Sequence, residues 1–107
     1  MRIISMKPLR EFYEQHPDAK TAIEHWHKTV KKALWDKPND VLQYFKTADI
    51  LKNNRVVFNI AQNKYRIVAM VNYPSKMLYV TFVGTHKDYN KIDAENVWRY
   101  KGRAEKP

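Results

Sequence analysis

The sequence predicts an α+β fold, in which two N-terminal helices pack on one face of an antiparallel sheet of three to four strands and a short helical segment follows the sheet. The prediction rests on the hydrophobic pattern. Apolar residues recur at three- and four-residue spacing in the first third of the chain, and they alternate with other residues in three later runs separated by short turns. A chain of 107 residues is long enough for one such core, so we expect residues 1–107 to form a single domain.

The N-terminal part of the chain holds the helices. A β-branched run over residues 2–5 is expected to add a strand at an edge of the sheet. Pro8 fits the first turn of a short helix, because its missing N–H has no intrahelical partner there, and this helix stops by His16-Pro17. Asp18 is the expected N-cap of a longer helix, which ends at Pro38. The stripe expected to cover the sheet consists of Ala22, Ile23, Trp26, Val30, Ala33 and Leu34.

The three strands follow a helical turn over 41–45 and a loop. We expect them at 55–61, 64–73 and 77–85. Gln62-Asn63 is the first turn, since Asn tolerates positive φ, and Pro74-Ser75 marks the second reversal. After the strands, helical turns are expected within 88–100, with Asp93 as a cap, before a basic chain end.

If both hairpin loops have an even number of residues, the alternation assigns the strand residues to two faces of the sheet. The face under the helices then carries Val56, Phe58, Ile60, Tyr65, Ile67, Ala69, Val71, Leu78, Val80 and Phe82. The opposite face, called the second face below, carries Val57, Asn59, Arg66, Val68, Met70, Tyr79, Thr81 and Val83. Asn59 lies directly across from Arg66 in this register. Because the second face is half apolar, we expect a partner protein or an additional helix to cover part of it.

The composition indicates a polyanionic partner. Lys and Arg total 20 against 11 Asp and Glu, for a net charge of +9, which attracts nucleic acid at long range. A membrane is not expected as a partner, because no run approaches the roughly 20 apolar residues that span a bilayer. The chain lacks Cys and a signal-peptide pattern, so we expect it in the cytoplasm.

Three residues on or beside the second face fit RNA cleavage by attack of a 2′-hydroxyl on the neighbouring phosphate. This reaction needs a proton acceptor, a proton donor and cations, but no metal. Arg66, fixed on a strand, can direct two N–H donors at a phosphate, or it can simply pair with a neighbour. His86 suits proton transfer at neutral pH, or it caps a turn. Tyr89 can stack on a base or donate a proton, or it can anchor packing.

Further residues are candidates for holding RNA, each with a plainer interpretation. Arg55 can contact a phosphate or be a charge at a strand start, and Lys87 adds positive potential. Asn59, Asn63 and Lys64 lie at or near the first turn, on the side of Arg66 if the register holds, although Asn in a turn is also explained by its backbone conformation. No metal, dinucleotide, P-loop or Ser-His-Asp signature is present, so no cofactor is expected.

Two blocks of sequence resemble a known family. Asn63-Lys64-Tyr65-Arg66-Ile67, after Phe58-Asn59-Ile60, and Gly84-Thr85-His86, followed by Asp88-Tyr89, are similar to HigB-type toxins of bacterial toxin–antitoxin systems, within the RelE superfamily. The resemblance implies a small RelE-like toxin, an endoribonuclease that cleaves mRNA on translating ribosomes. It also implies a cognate helix-turn-helix antitoxin, with operator DNA bound only through the toxin–antitoxin complex.

The resemblance places Arg66 at the phosphate and His86 and Tyr89 near the scissile bond, and it leaves the general acid and general base open. Two rival functions stay open as well. Some toxins of this topology poison DNA gyrase, in which case mRNA would stay intact during growth arrest. A non-catalytic module that binds RNA or the ribosome would need only the charge and the aromatic residues.

Overall fold

The computed structural model of this chain describes residues 1–4 and 6–95. It confirms the α+β class, with the longer helices before a sheet and a short helix after it. In chain order the elements are β1 (Arg2–Ile4), α1 (Lys7–Gln15), a 3-10 turn (Pro17–Ala19), α2 (Lys20–Lys32), α3 (Pro38–Tyr44), β2 (Asp49–Ile50), β3 (Arg55–Ile60), β4 (Tyr65–Asn72), β5 (Met77–Thr85) and α4 (His86–Tyr89). The helical turns expected beyond residue 95 and the basic chain end lie outside the described residues.

The sheet has five strands in the order β1-β5-β4-β3-β2. The three predicted strands form its antiparallel centre, and the predicted N-terminal edge strand is confirmed as β1, which pairs parallel to β5. The two-residue β2 was predicted as part of a loop, and it forms the opposite edge against β3. A tight reversal between β2 and β3 allows this pairing. In the reversal Asn53 and Asn54 have φ of 59° and 58°, and the N–H of Leu51 donates to the carbonyl of Arg55 at 2.9 Å.

The helices depart from the prediction at both ends of α2. Asp18 does not cap it: α2 begins at Lys20 after the 3-10 turn, and the Asp18 carboxylate accepts hydrogen bonds from Tyr65 Oη at 2.7 Å and Lys64 Nζ at 2.5 Å. At the other end Ala33 is already extended, which turns Leu34 outward and leaves it 73% exposed. Pro38 does not end α2 but opens α3, at a position where its missing N–H is harmless.

The main core lies between the helices and one face of the sheet. Its largest fully buried side chains include Trp26 of α2, Trp35, and Phe58 of β3. The Trp26 and Phe58 rings meet edge to face with centroids 5.4 Å apart, and Trp35 stacks on Phe58 at 6.4 Å. This burial fixes β3 firmly, so side chains on the other face of the same strand are held in place.

A β-bulge in β5 changes which residues share a face. Val68 of β4 pairs with Phe82, but the next residue, Ala69, pairs with Val80, so Thr81 is left without a pairing partner across the ladder. The Thr81 hydroxyl donates instead to the Val68 carbonyl at 3.1 Å. One extra residue reverses the alternation. The predicted faces of Phe82 and Val83 are therefore wrong: Val83 joins the main core, and Phe82 lies on the second face.

The second face is partly covered, as expected from its apolar content, and the cover comes from the chain itself. Val57, Val68 and Phe82 form a second, smaller core. Packed on it are Leu51, Tyr89, Ile92 and Ala94, most of them from the segment that follows the sheet. Val57 and Val68 are fully buried and unavailable to a partner. The polar side chains beside this small core define the candidate site.

Candidate active site

A row of three paired residues crosses the second face where the central hairpin ends. Asn59 of β3 pairs with Arg66 of β4, as predicted, and Arg66 pairs with Gly84 of β5. A Cβ atom at Gly84 would lie 2.6 Å from Cζ of Phe82, so only glycine leaves that ring its position. The row thus has an Arg at its centre, with the Asn59 amide on one side and the buried Gly84 on the other.

Arg66 and Tyr89 are brought together by the turn from β5 into α4. The guanidinium carbon of Arg66 lies 4.8 Å from the centroid of the Tyr89 ring, in a cation–π arrangement. Tyr89 is held in turn by the small core, with its ring 6.5 Å from that of Phe82. The Nε of Arg66 is buried and has no hydrogen-bond partner among residues 1–4 and 6–95. Arg66 is therefore a cation held in place by packing, with at least one donor that has no partner in the described part of the chain.

The environment of Tyr89 keeps its hydroxyl protonated. Burial raises the pKa of Tyr89 above its ordinary value of 10.0, the positive charge of Arg66 opposes that rise, and the negative charge of Asp49 adds to it. A protonated phenol is a hydrogen-bond donor and a possible proton donor at neutral pH. The geometry thus pairs a cation with a neutral donor.

His86 and Lys87 open α4 beside this pair. The hydroxyl oxygen of Thr85 accepts the N–H of Asp88 at 3.1 Å, so Thr85 caps the short helix and directs the chain out of the sheet. Both His86 and Lys87 are exposed, and Nδ1 of His86 lies 3.4 Å from the side-chain amide of Asn90. His86 therefore lies at the exposed start of α4, outside the packed cluster that holds Tyr89.

The residues predicted to hold RNA differ in their exposure and in their contacts. Arg55 is only 3% exposed and donates to the Asn53 carbonyl at 2.9 Å, so it does not offer its charge to a phosphate at the surface. Lys64 lies on the helix side, paired with Asp18, and the expectation that it shares the side of Arg66 is wrong. Asn63 is exposed in the first turn with φ of 69°, as an Asn in a turn was expected to be.

Asn59 was predicted to contact RNA, and its side-chain amide is hydrogen-bonded to the protein backbone. Its Nδ2 donates to the carbonyl of Thr47 at 2.7 Å, which ties the segment before β2 to the sheet. Its Oδ1 is buried without a hydrogen-bond partner in the described part of the chain. Asn59 therefore joins the Arg66 row to the neighbouring edge strand.

Comparison with known proteins identifies the family. A family model described as HigB toxin, the RelE-like toxic component of a toxin–antitoxin system, matches residues 19–92. The chain belongs to the HigB toxin family. Curated relatives include the mRNA interferase toxin HigB of Escherichia coli (strain K12) and the mRNA interferase HigB of Shigella flexneri, each 34% identical over 105 residues, or 96% of this chain and 99% of the relative. The mRNA interferase HigB of Escherichia coli O6:H1 is 26% identical over 94 residues, covering 86% and 91%.

Membership confirms the resemblance read from the sequence and makes an antitoxin a partner of this chain. The stretch that matches the HigB family model contains the Asn59–Arg66–Gly84 row together with His86 and Tyr89. It also contains Asp49, which was not among the predicted site residues, since β2 was expected to be a loop. The Asn53-Asn54 pair was the available signal for a tight reversal and hence for that strand.

Within residues 1–4 and 6–95, no helix is long and apolar enough to cross a membrane. The same residues contain no group of three or more His, Asp or Glu side chains arranged to hold a metal ion.

Proposed function

We propose that this chain cleaves mRNA without a metal ion, through attack of the 2′-hydroxyl on the adjacent phosphate, and that the reaction takes place on the second face around Arg66. Relatives that align over 99% of their own length are mRNA interferases of the HigB family, and this supports mRNA as the substrate. The observation that carries the mechanism is the Arg66 guanidinium, fixed 4.8 Å over the Tyr89 ring at the end of the sheet where His86 is exposed.

Arg66 supplies the electrostatic part of the mechanism. Negative charge grows on the non-bridging oxygens as the 2′-oxygen attacks, and a guanidinium can direct two N–H donors at them. A donor fixed before the reaction stabilises this charge without having to reorganise. The packing of Tyr89 on one side and the β4 ladder on the other give Arg66 that fixed position.

Tyr89 and His86 supply protons or position the scissile nucleotide. Because burial keeps Tyr89 protonated, its hydroxyl suits donation to the 5′-oxygen leaving group better than proton abstraction. His86 is exposed and free to reach a bound RNA, so it acts as general acid or general base.

RNA is held by groups that reach the surface near this pair. Lys87 adds positive charge at the start of α4, and Asn63 presents an amide at the tip of the first hairpin. Asn59 acts by holding the segment before β2 in place. Arg55 stabilises the β2–β3 reversal from a buried position, and Lys64 contacts RNA only if its exposed pair with Asp18 opens.

The biological setting is part of the proposal. The chain acts on mRNA under translation, which places it in the cytoplasm, and its high positive charge suits a site lined by ribosomal RNA. Its antitoxin carries a helix-turn-helix domain, and the toxin reaches operator DNA only within their complex.

The test is primer extension on cellular mRNA after induction of the chain, with translated and untranslated copies of one message compared. Wild type is expected to give discrete new 5′ ends on the translated copy, whereas Arg66→Ala and His86→Gln lose them and relieve growth arrest. Arg10→Ala and His25→Gln are matched controls, since both residues are exposed on the helices. Growth arrest with intact mRNA would reject the proposal and favour another target such as gyrase. Equal cleavage of both copies would reject the dependence on translation.

A further inference from the structure

Asp49 places a carboxylate at the candidate active site. It lies on the edge strand β2, where it pairs with Val57, and so shares the second face with Val57 and Asn59. Its charge is close enough to Tyr89 to contribute to the raised pKa of that hydroxyl. Asp49 is thus paired with a residue of the small core on which Tyr89 packs, and the guanidinium of Arg66 covers the Tyr89 ring.

A carboxylate in this position works against RNA binding. The chain carries a net charge of +9, and a negative group beside a phosphate site repels the substrate. Asp49 is exposed and forms no salt bridge within the described residues, so neutralising a neighbour does not explain it. The hydrogen bond from Asn59 to the Thr47 carbonyl holds the backbone immediately before β2 in place. The site therefore keeps an exposed hydrogen-bond acceptor on a strand that is held in place.

Among the other predicted catalytic residues only His86 can accept a proton, and it lies exposed at the start of α4. Arg66 is a donor only, and Tyr89 stays protonated. We propose that Asp49 is a catalytic residue, the general base that removes the proton from the attacking 2′-hydroxyl of the mRNA. This inference rests on the proposed function and adds to it the residue that starts the reaction.

The step balances without any further reactant. The 2′-O–H bond breaks and its proton moves to the Asp49 carboxylate, while the 2′-oxygen forms a bond to phosphorus. The bond from phosphorus to the 5′-oxygen breaks with its electron pair, and that oxygen takes a proton from Tyr89 or His86. A 2′,3′-cyclic phosphate and a 5′-hydroxyl remain, and exchange with water restores the protonation states of the protein.

The test separates proton abstraction from RNA binding. Single-turnover cleavage of an mRNA in a reconstituted translation reaction is measured for wild type, Asp49→Asn and Asp49→Glu. Binding is measured for the same proteins with a short RNA that carries 2′-O-methyl groups throughout and so has no proton to lose. Glu14→Gln is the matched control, because it removes one exposed negative charge from α1, on the helix side.

Asp49→Asn is expected to slow cleavage by about 100- to 10,000-fold, the usual contribution of a general base. It should bind the methylated RNA as tightly as wild type or more tightly, since a repulsive charge is gone, and Asp49→Glu should recover part of the rate. Cleavage by Asp49→Asn at the wild-type rate would overturn the inference, and so would a loss of binding that matches the loss of rate. If wild type itself leaves the mRNA intact, the proposed function fails instead.

Discussion

Replacing Arg66 by Ala is expected to remove most of the cleavage activity while changing stability little. The contact between the guanidinium and the Tyr89 ring contributes about 0.5–2 kcal/mol to folding. Against this, the buried Nε has no partner in the described residues, and removing such a group recovers about 1–3 kcal/mol of desolvation cost. The two effects oppose each other, so Arg66→Ala should lower the free energy of unfolding by no more than about 1 kcal/mol, or about 4–8 °C in Tm for a small domain.

The effect on the reaction should be much larger. Loss of one fixed donor to a developing oxyanion costs about 2.7–4 kcal/mol, or about 100- to 1,000-fold in rate. Arg66→Lys keeps the charge but not the planar pair of donors, so it should recover only part of that loss.

The change in stability is measured by urea unfolding and the change in rate by single-turnover cleavage. Both use the same preparations of wild type, Arg66→Ala and Arg66→Lys. The reasoning is refuted if Arg66→Ala cleaves within about threefold of wild type. It is also refuted if unfolding alone accounts for the lost activity, since Arg66 would then be a structural residue.

Three other predictions follow from the fold. Gly84→Ala should destabilise the chain by about 1–3 kcal/mol in urea unfolding, because the new Cβ would lie 2.6 Å from the Phe82 ring, and unchanged stability would contradict that contact. Gln62→Gly should raise stability by about 0.5–1 kcal/mol, because Gln62 is exposed with φ of 57°, whereas Gln43→Gly in α3 should lower it by a similar amount. Tyr89→Phe should make the free energy of unfolding less sensitive to alkali. The folded-state pKa of Tyr89 is raised, so the stability that its hydroxyl contributes is complete below pH 10.0 and is lost as the pH rises through the folded-state pKa. Equal losses of stability in wild type and Tyr89→Phe would contradict this.

Much of the sheet could be predicted because its signals are local. Alternation defines the three central strands, and the β-branched start of the chain indicates an edge strand. The bulge at Thr81 could not be predicted in this way, because an extra residue in one strand is visible only from its pairing with the other. This single residue exchanged the faces of Phe82 and Val83 and so defined the small core on which Tyr89 rests.

The site was predictable in its centre and not at its edges. Asn59 and Arg66 were placed across from each other because both strands follow one register. Burial of Arg55 and the pairing of Lys64 with Asp18 were not predictable, since each depends on contacts between distant parts of the chain. Asp49 was missed for a related reason: a two-residue strand has too few residues to show alternation, and only the reversal at Asn53-Asn54 brings it to the sheet.

The chemistry of the product ends tests the central claim most directly. After cleavage of a translated mRNA by this chain, the upstream fragment is expected to end in a 2′,3′-cyclic phosphate and the downstream fragment to begin with a 5′-hydroxyl. These ends can be distinguished by whether polynucleotide kinase labels the downstream fragment without prior phosphatase treatment. A 5′-phosphate on the downstream fragment, with a 3′-hydroxyl upstream, would mean that water attacked the phosphate, and it would contradict the account.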